Sequence, residues 1–219
     1  MERPSVRSYS IRGSRITDAQ RAAKDAMQAL YGIAVEPKKL NMKEIFPTSE
    51  KIIMEIGFGM GEATAIIAKN HPNNGYIAVD VHPPGIGKLL ARIVEDDLKN
   101  LRVIEDDVHV VLPYMFEDES LDGIHLYFPD PWPKKKHNKR RIVNEGFLSL
   151  IRPKLKKDGF IHIATDWVPY ANYIQEVFAP SELFTGGVIA KPDSRPVTRF
   201  EGQGIDKDHQ VTDLMYFRK

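Results

Sequence analysis

From residue 51 onward this 219-residue chain alternates short β-prone runs with segments of helical periodicity, joined by brief links. The β-prone runs fall at 52–56, 76–81, 101–104, 121–128 and 160–164. Helical segments fall between and after them, at 62–70, 84–97, 108–116, 143–156 and 168–179. Two further strand-like runs, 184–190 and 214–218, close the chain. Strand and helix alternating in this way predict an α/β fold: a parallel sheet with helices on both faces and right-handed crossovers. Punctuation agrees with these bounds. Pro84 stands near a helix start, where its missing N–H costs nothing, His71-Pro72 closes one helix, and Asp158-Gly159 follows another. A hydrophobic content of 42% is enough for one such core. The first 17 residues are polar and carry Arg3, Arg7, Arg12 and Arg15 without periodicity. Thr17-Asp18 can cap a helix running to Tyr31, where Gly32 stops it. Residues 1–33 therefore read as an N-terminal arm and helix, and 34–219 as the α/β domain.

In open α/β sheets ligands bind beyond the carboxyl ends of the strands, near the point where strand order reverses. Every one of the five central strand ends here carries an acid. They are Glu55, Asp80, the trio Glu105, Asp106 and Asp107, then Asp130, then Asp166. Acids at successive strand ends point to one shared site.

The loop after the first strand, Gly57-Phe58-Gly59-Met60-Gly61-Glu62, separates two ligand classes. A dinucleotide fingerprint has G-x-G-x-x-G, with a pyrophosphate on the helix N-terminus. Here Gly57, Gly59 and Gly61 give G-x-G-x-G, and Glu62 takes the place of the third glycine. A carboxylate there opposes a pyrophosphate at the helix end. That argues against a nicotinamide-dependent oxidoreductase. Close backbone approach remains, for a ligand without phosphates. Glu55, two residues before the first glycine, suits an ammonium group; Asp80 suits ribose hydroxyls; Asp107 suits an adenine amino group. S-adenosylmethionine has all three features.

The stretch at 126–143, LYFPDPWPKKKHNKRRIV, is the other unusual element. Asp130 lies between Pro129 and Pro131 and beside Trp132. Of the eight residues 134–141, six are Lys or Arg, so this run holds +6 of a chain that nets +1, leaving −5 elsewhere. One concentrated basic patch on a mildly acidic body is the footprint of a polyanion-binding surface. Trp132 is either a platform for a flipped base or a packed core indole. Asp166 is either a second acceptor for a base edge or the N-cap of the next helix.

Other classes are closed off. The absence of cysteine excludes a disulfide framework, thiolate metal sites and a Cys nucleophile. The seven histidines show no close ligand pair, so no metal is expected. Glu55 interrupts the best apolar run, and the N-terminal MERPSVRSYSIRG lacks the apolar centre of a secretory signal. A cytoplasmic protein without membrane association is expected. A methyltransferase acting on an exocyclic amine places Pro-Pro-aromatic after its acid or Asn, and Pro-Asp-Pro-Trp fails that test. A non-catalytic RNA-binding module has no need of acids on successive strand ends.

Several motifs together resemble the bacterial, single-subunit tRNA (guanine-N7)-methyltransferases. These are EIGFGMGE at 55–62, VHPPGIG at 81–87, FPDPWPKKKHNKRRIV at 128–143, ATDWVPYA at 164–171 and RPVTRFEGQG at 195–204. The resemblance spans nearly the whole chain. It implies a Rossmann-like class I methyltransferase fold: a mostly parallel, seven-stranded sheet with a final antiparallel strand. It implies S-adenosylmethionine contacts at Glu55, Asp80, Asp107 and Asp130, with Asp130 also the catalytic position. It implies tRNA contacts at Lys134, Lys136, His137, Asn138, Lys139, Arg140, Arg141, Asp166, Thr198, Arg199, Phe200 and Glu201. Asp80 stands where the family commonly has Glu, and Arg199 where it commonly has Lys; both keep the charge. The implied activity is formation of 7-methylguanosine at position 46 of the tRNA variable loop, by a monomer or homodimer with no obligatory partner subunit.

Overall fold

The computed structural model describes Met1 and residues 6–9, 17–197 and 211–219. Helix α1 (Asp18–Tyr31) and the short α2 (Met42–Ile45) precede the sheet. There follow β1 (Lys51–Ile56), α3 (Glu62–Asn70), β2 (Asn74–Asp80), α4 (Pro83–Glu95), β3 (Leu101–Glu105), α5 (Val108–Met115) and β4 (Leu121–Tyr127). A 3-10 helix (Lys135–Arg140) leads to α6 (Glu145–Ile151), β5 (Leu155–Thr165), α7 (Val168–Phe178), β6 (Phe184–Ile189) and β7 (Thr212–Arg218). The seven strands run in the order β3-β2-β1-β4-β5-β7-β6, and β7 is antiparallel to both of its neighbours. The strand order reverses between β1 and β4. This is the arrangement that the class I resemblance implies.

Both sheet faces are covered because successive strand residues point opposite ways. Ile52, Met54 and Ile56 of β1 join one core cluster with residues of α5, α6 and α7. Ile53 joins a second cluster with Ala65, Ile67 and Ala68 of α3 and Ile86, Leu89, Leu90 and Ile93 of α4. The same split runs through β2, where Ile77 and Val79 go one way and Tyr76 and Ala78 the other. Met27 and Tyr31 bring α1 onto the second cluster. Beyond α1 the chain adds a backbone rung to the sheet edge, with Ile33 N–H donating to Val103 O at 2.8 Å. Among the described residues no helix is long and apolar enough to cross a membrane.

Two departures from the sequence pattern have local causes. The helix expected over 143–156 is confined to α6, Glu145–Ile151. Asn144 caps it by accepting from Phe147 N–H at 3.0 Å. At its far end Glu119 N–H donates to Pro153 O and Leu121 N–H to Lys154 O, which draws the chain into the sheet from Leu155. β5 then carries a bulge opposite Leu121 and Gly123, with Asp158 in the left-handed region at φ 62°. The second departure is the basic run, which folds as a 3-10 helix of its own.

Candidate active site

The carboxyl ends of β1, β2, β3 and β4 open onto one cavity of about 510 Å³. Glu55, Gly57, Gly59, Gly61, Asp80, Asp107 and Asp130 all line it. The seven residues come from four separate strand ends, so the sheet alone brings them together.

The glycine loop is shaped by its neighbours. Gly57, Gly59 and Gly61 have φ of 74°, 59° and 74°, in the region that favours glycine. At Gly85 the constraint is contact: an added Cβ would lie 1.8 Å from Gly59 O. The loop therefore rests directly on the first turn of α4. Asp80 ties the two together. Its carboxylate accepts from Gly59 N–H at 2.7 Å, from Val81 N–H at 2.7 Å and from His82 N–H at 3.0 Å. Burial raises the Asp80 carboxyl, and these three bonds oppose the rise. Asp80 thus braces the loop while it faces the cavity.

Glu55 is the most perturbed acid. It is 5% exposed on β1. Burial pushes its carboxyl up to about 7, reinforced by the charge of Asp80. Such a carboxylate gains from a cation delivered into the cavity. Asp107 caps α5, its Oδ1 accepting from His109 N–H at 2.9 Å and lying 2.9 Å from His109 Nδ1. Asp106, whose Oδ1 accepts from Asp107 N–H at 2.7 Å, lines the cavity beside it.

At the lip, residues 128–132 form a turn held between two non-glycine residues with positive φ, Phe128 at 51° and Trp132 at 44°. Each such conformation costs about 1–2 kcal/mol, and outliers of this kind concentrate at functional sites. Phe128 N–H donates to Ala164 O at 2.8 Å, which anchors the turn to β5. Asp130 is exposed at the crest.

Trp132 is neither a core indole nor an open platform. The Arg140 guanidinium lies 3.7 Å from its ring centroid, and His137 meets it edge-on at 5.8 Å. Its Nε1–H donates to Ser8 O at 2.9 Å. Arg140 donates to Arg7 O at 3.0 Å and Tyr9 O at 2.7 Å. Part of the N-terminal arm is thereby fastened over the site, and Ser8 and Tyr9 line the cavity. Nothing in the polar N-terminal sequence marks those two residues as cavity wall.

The basic run divides by environment. Lys134, Lys135, Lys136 and Lys139 are exposed, and His137, Asn138 and Arg140 are half-buried. The His137 imidazole is held below its usual value by desolvation and by the surrounding Lys and Arg charges. Arg141 points inward. It is 8% exposed, donates to Pro131 O at 2.9 Å and lies over Tyr173 at 4.5 Å and Tyr170 at 5.2 Å. Asp166 is half-buried, and the N-cap position of α7 belongs to Trp167. Thr198, Arg199, Phe200 and Glu201 lie outside the described residues. Among the described residues no group of three or more His, Cys, Asp or Glu is placed to hold a metal ion.

A family model described as "Putative methyltransferase" matches residues 49–214. Over 218 residues, 98% of this chain and 97% of the relative, the sequence is 44% identical to the tRNA (guanine-N(7)-)-methyltransferase of Nitrosomonas europaea. It is 43% identical over 217 residues to the enzyme of the same name from Nitrosospira multiformis, covering 98% and 95% of the two chains. This chain belongs to the tRNA (guanine-N7)-methyltransferase family. Its fold is also that of a solved 16S rRNA methyltransferase, KamB, with TM-score 0.62 at 12% identity over 81% of this chain and 92% of that one.

The cavity fits the S-adenosylmethionine of such methyltransferases on its own chemistry. It offers carboxylates for an ammonium, a ribose and an amino group. Glu62 occupies the first turn of α3, where a carboxylate opposes a phosphate, and Lys88 Nζ at 2.5 Å offsets part of its charge.

Proposed function

We propose that this chain transfers a methyl group from S-adenosylmethionine to N7 of a guanine in tRNA, at position 46 of the variable loop. The observation that carries the reading is that Asp130 lines the same cavity as Glu55, Asp80 and Asp107, with the cationic 3-10 helix beginning five residues beyond it. The bound cofactor supplies an electrophilic methyl group on a sulfonium centre. Glu55 holds its ammonium group, Asp80 its ribose hydroxyls and Asp107 its adenine amino group. Guanine N7 has a free lone pair at neutral pH, so no residue is needed to remove a proton from it. The chain's task is alignment and electrostatics. Asp130, at the lip, accepts hydrogen bonds from the guanine edge, fixes its pose and offsets the positive charge that develops on the ring.

The exposed Lys134, Lys136 and Lys139 hold phosphates and set where the guanine lies; such contacts position RNA without reading its sequence. Arg140, partly committed to residues 7 and 9, and Arg141, committed to Tyr170 and Tyr173, contribute mainly through the shape of the turn. The residue 34–219 domain carries the chemistry, with residues 1–33 an accessory arm and helix. The protein works in the cytoplasm, away from membranes, as a monomer or homodimer without an obligatory partner subunit. Incubating the purified chain alone with unmodified tRNA and methyl-labelled cofactor, then digesting to nucleosides, tests reaction, substrate and atom together. Label in 7-methylguanosine is the expected result. Label in another nucleoside, or none, overturns it.

A further inference from the structure

Beneath the cavity wall lies a buried polar chain that the proposed mechanism does not use. Arg195, 1% exposed, donates from Nε to Asp213 Oδ1 at 2.7 Å and from a terminal nitrogen to Asp213 Oδ2 at 2.8 Å. His162 Nε2 lies 2.7 Å from the same Asp213 Oδ1. His162 Nδ1 lies 3.1 Å from the hydroxyl of Tyr127, which lines the cavity. The Arg195 guanidinium is also 5.8 Å from the ring centroid of Phe128, the next cavity residue. The polar chain crosses three adjacent strands, β7, β5 and β4: Asp213 and Tyr127 are both level with Ala164, and His162 stands two residues earlier on β5, on the same sheet face as Ala164.

The bonds to Asp213 have a fixed direction. Burial keeps the Tyr127 phenol well above its usual range, so it retains its proton. Burial alone would raise the Asp213 carboxyl, but the bonds from His162 and Arg195 hold it below its usual value, so it only accepts. Because Asp213 only accepts, His162 Nε2 donates to it, and His162 Nδ1 meets the Tyr127 hydroxyl from the other side of the ring. Arg195 and His162 both donate to Asp213, and the Tyr127 hydroxyl pairs with His162. A buried ion pair of this kind adds little net stability over an apolar packing of the same volume. What it does supply is orientation, at the strand end that leads into the turn bearing Asp130.

We propose that Arg195, Asp213 and His162 are positioning residues for methyl transfer: they fix Tyr127 and Phe128, and through them the reach of the Asp130 carboxylate across the cavity mouth. This rests on the reading of Asp130 as the group that holds the guanine. Tyr127→Phe is the mildest probe, because it removes one hydroxyl and keeps the ring. Misplacing a reacting group by about 1 Å costs on the order of 100-fold in rate. Tyr127→Phe is accordingly expected to lower kcat about tenfold, and Asp213→Asn about 100-fold. Cofactor Kd by calorimetry and KM for tRNA should both stay within roughly twofold, since coupling through position acts on the reacting step.

The deciding measurement repeats both changes in an Asp130→Asn background, using single-turnover rates. Acting through Asp130, they should lower the residual rate no further. Full kcat in Tyr127→Phe, or losses that multiply with that of Asp130→Asn, overturns the inference. Should Asp213→Asn fail to fold, Tyr127→Phe decides alone. Normal turnover in Asp130→Asn by itself would remove the guanine-holding role and this inference together. A crippled Asp130→Asn beside a fully active Tyr127→Phe removes only the inference.

Discussion

Glu55 is 5% exposed inside the sheet and its carboxyl is pushed up to about 7, whereas Lys134, Lys136 and Lys139 stand in solvent beside the same site. Asp80 is held by three backbone donors; the exposed lysines cap or ride on one short 3-10 helix. In the proposed roles the cavity groups act singly, because a low-dielectric site offers little other solvation to the ligand group each one would face. The surface cations act as a set, because water and salt screen each of them and a neighbouring charge partly replaces a lost one. Single substitutions should therefore be severe in the cavity and mild on the helix.

The sharpest break is Asp130→Ala. It should cost about 100- to 1,000-fold in kcat, the range seen when one preorganised electrostatic group is removed. Cofactor binding, measured by calorimetry, should persist. Near-normal turnover would place the guanine-holding group elsewhere.

Next comes a pH effect confined to the cavity. A cationic ligand binds the ionised form of Glu55, whose carboxyl sits at about 7 in the free protein. Below that value each pH unit should weaken cofactor affinity about tenfold, as binding must first release a proton; above it affinity should level off. In Glu55→Gln this dependence should vanish and affinity should be weak throughout. A flat profile in the unsubstituted protein would mean that the ammonium group lies away from Glu55.

On the cationic side, replacing Lys134, Lys136 and Lys139 together by Ala should weaken tRNA binding. It should also flatten the plot of log affinity against log salt by about 2–3, as three phosphate contacts are lost. Cofactor affinity should not change. An unaltered salt slope would move the RNA face off this helix.

The smallest effect on RNA should come from Arg141→Ala. Its guanidinium is buried against Tyr170 and Tyr173. The change should lower the melting temperature, by the equivalent of about 1–2 kcal/mol for a desolvated cation–aromatic contact. The salt slope should stay where it was. A fall in slope matching that of one exposed lysine would return Arg141 to the RNA-binding set.

Much of this was legible in the residues. The alternation of β-prone and helical runs marked all seven strands and every helix of the sheet domain except the short α2 and the 3-10 helix, because period 2 and period 3.6 are local properties. α3 and α5 begin where the helical runs were expected to begin, at Glu62 and Val108. The helix after residue 143 was overestimated because Leu155 and Lys156 are as acceptable to a helix as to a strand, and only β4 offered them backbone partners. The cavity acids were legible because each ends a strand in a sheet whose carboxyl edge is one place.

The sequence by itself determined the α/β architecture, the glycine loop with Glu62 at its end, and the acids that would share a site. Tertiary structure decided what each polar group does once it is there. In the run at 134–141 every cation looks alike along the chain, yet Arg141 folds under the turn onto Tyr173, Arg140 closes over Trp132, and four lysines stay in water. Likewise His162 and Asp213 are far apart in sequence and meet through the antiparallel pairing of β7 with β5, where Arg195, from beyond β6, joins them. Charge is a property of a residue, but burial and partnership are properties of the packed fold, and these decide whether a charge is exposed to a ligand or neutralised within the protein.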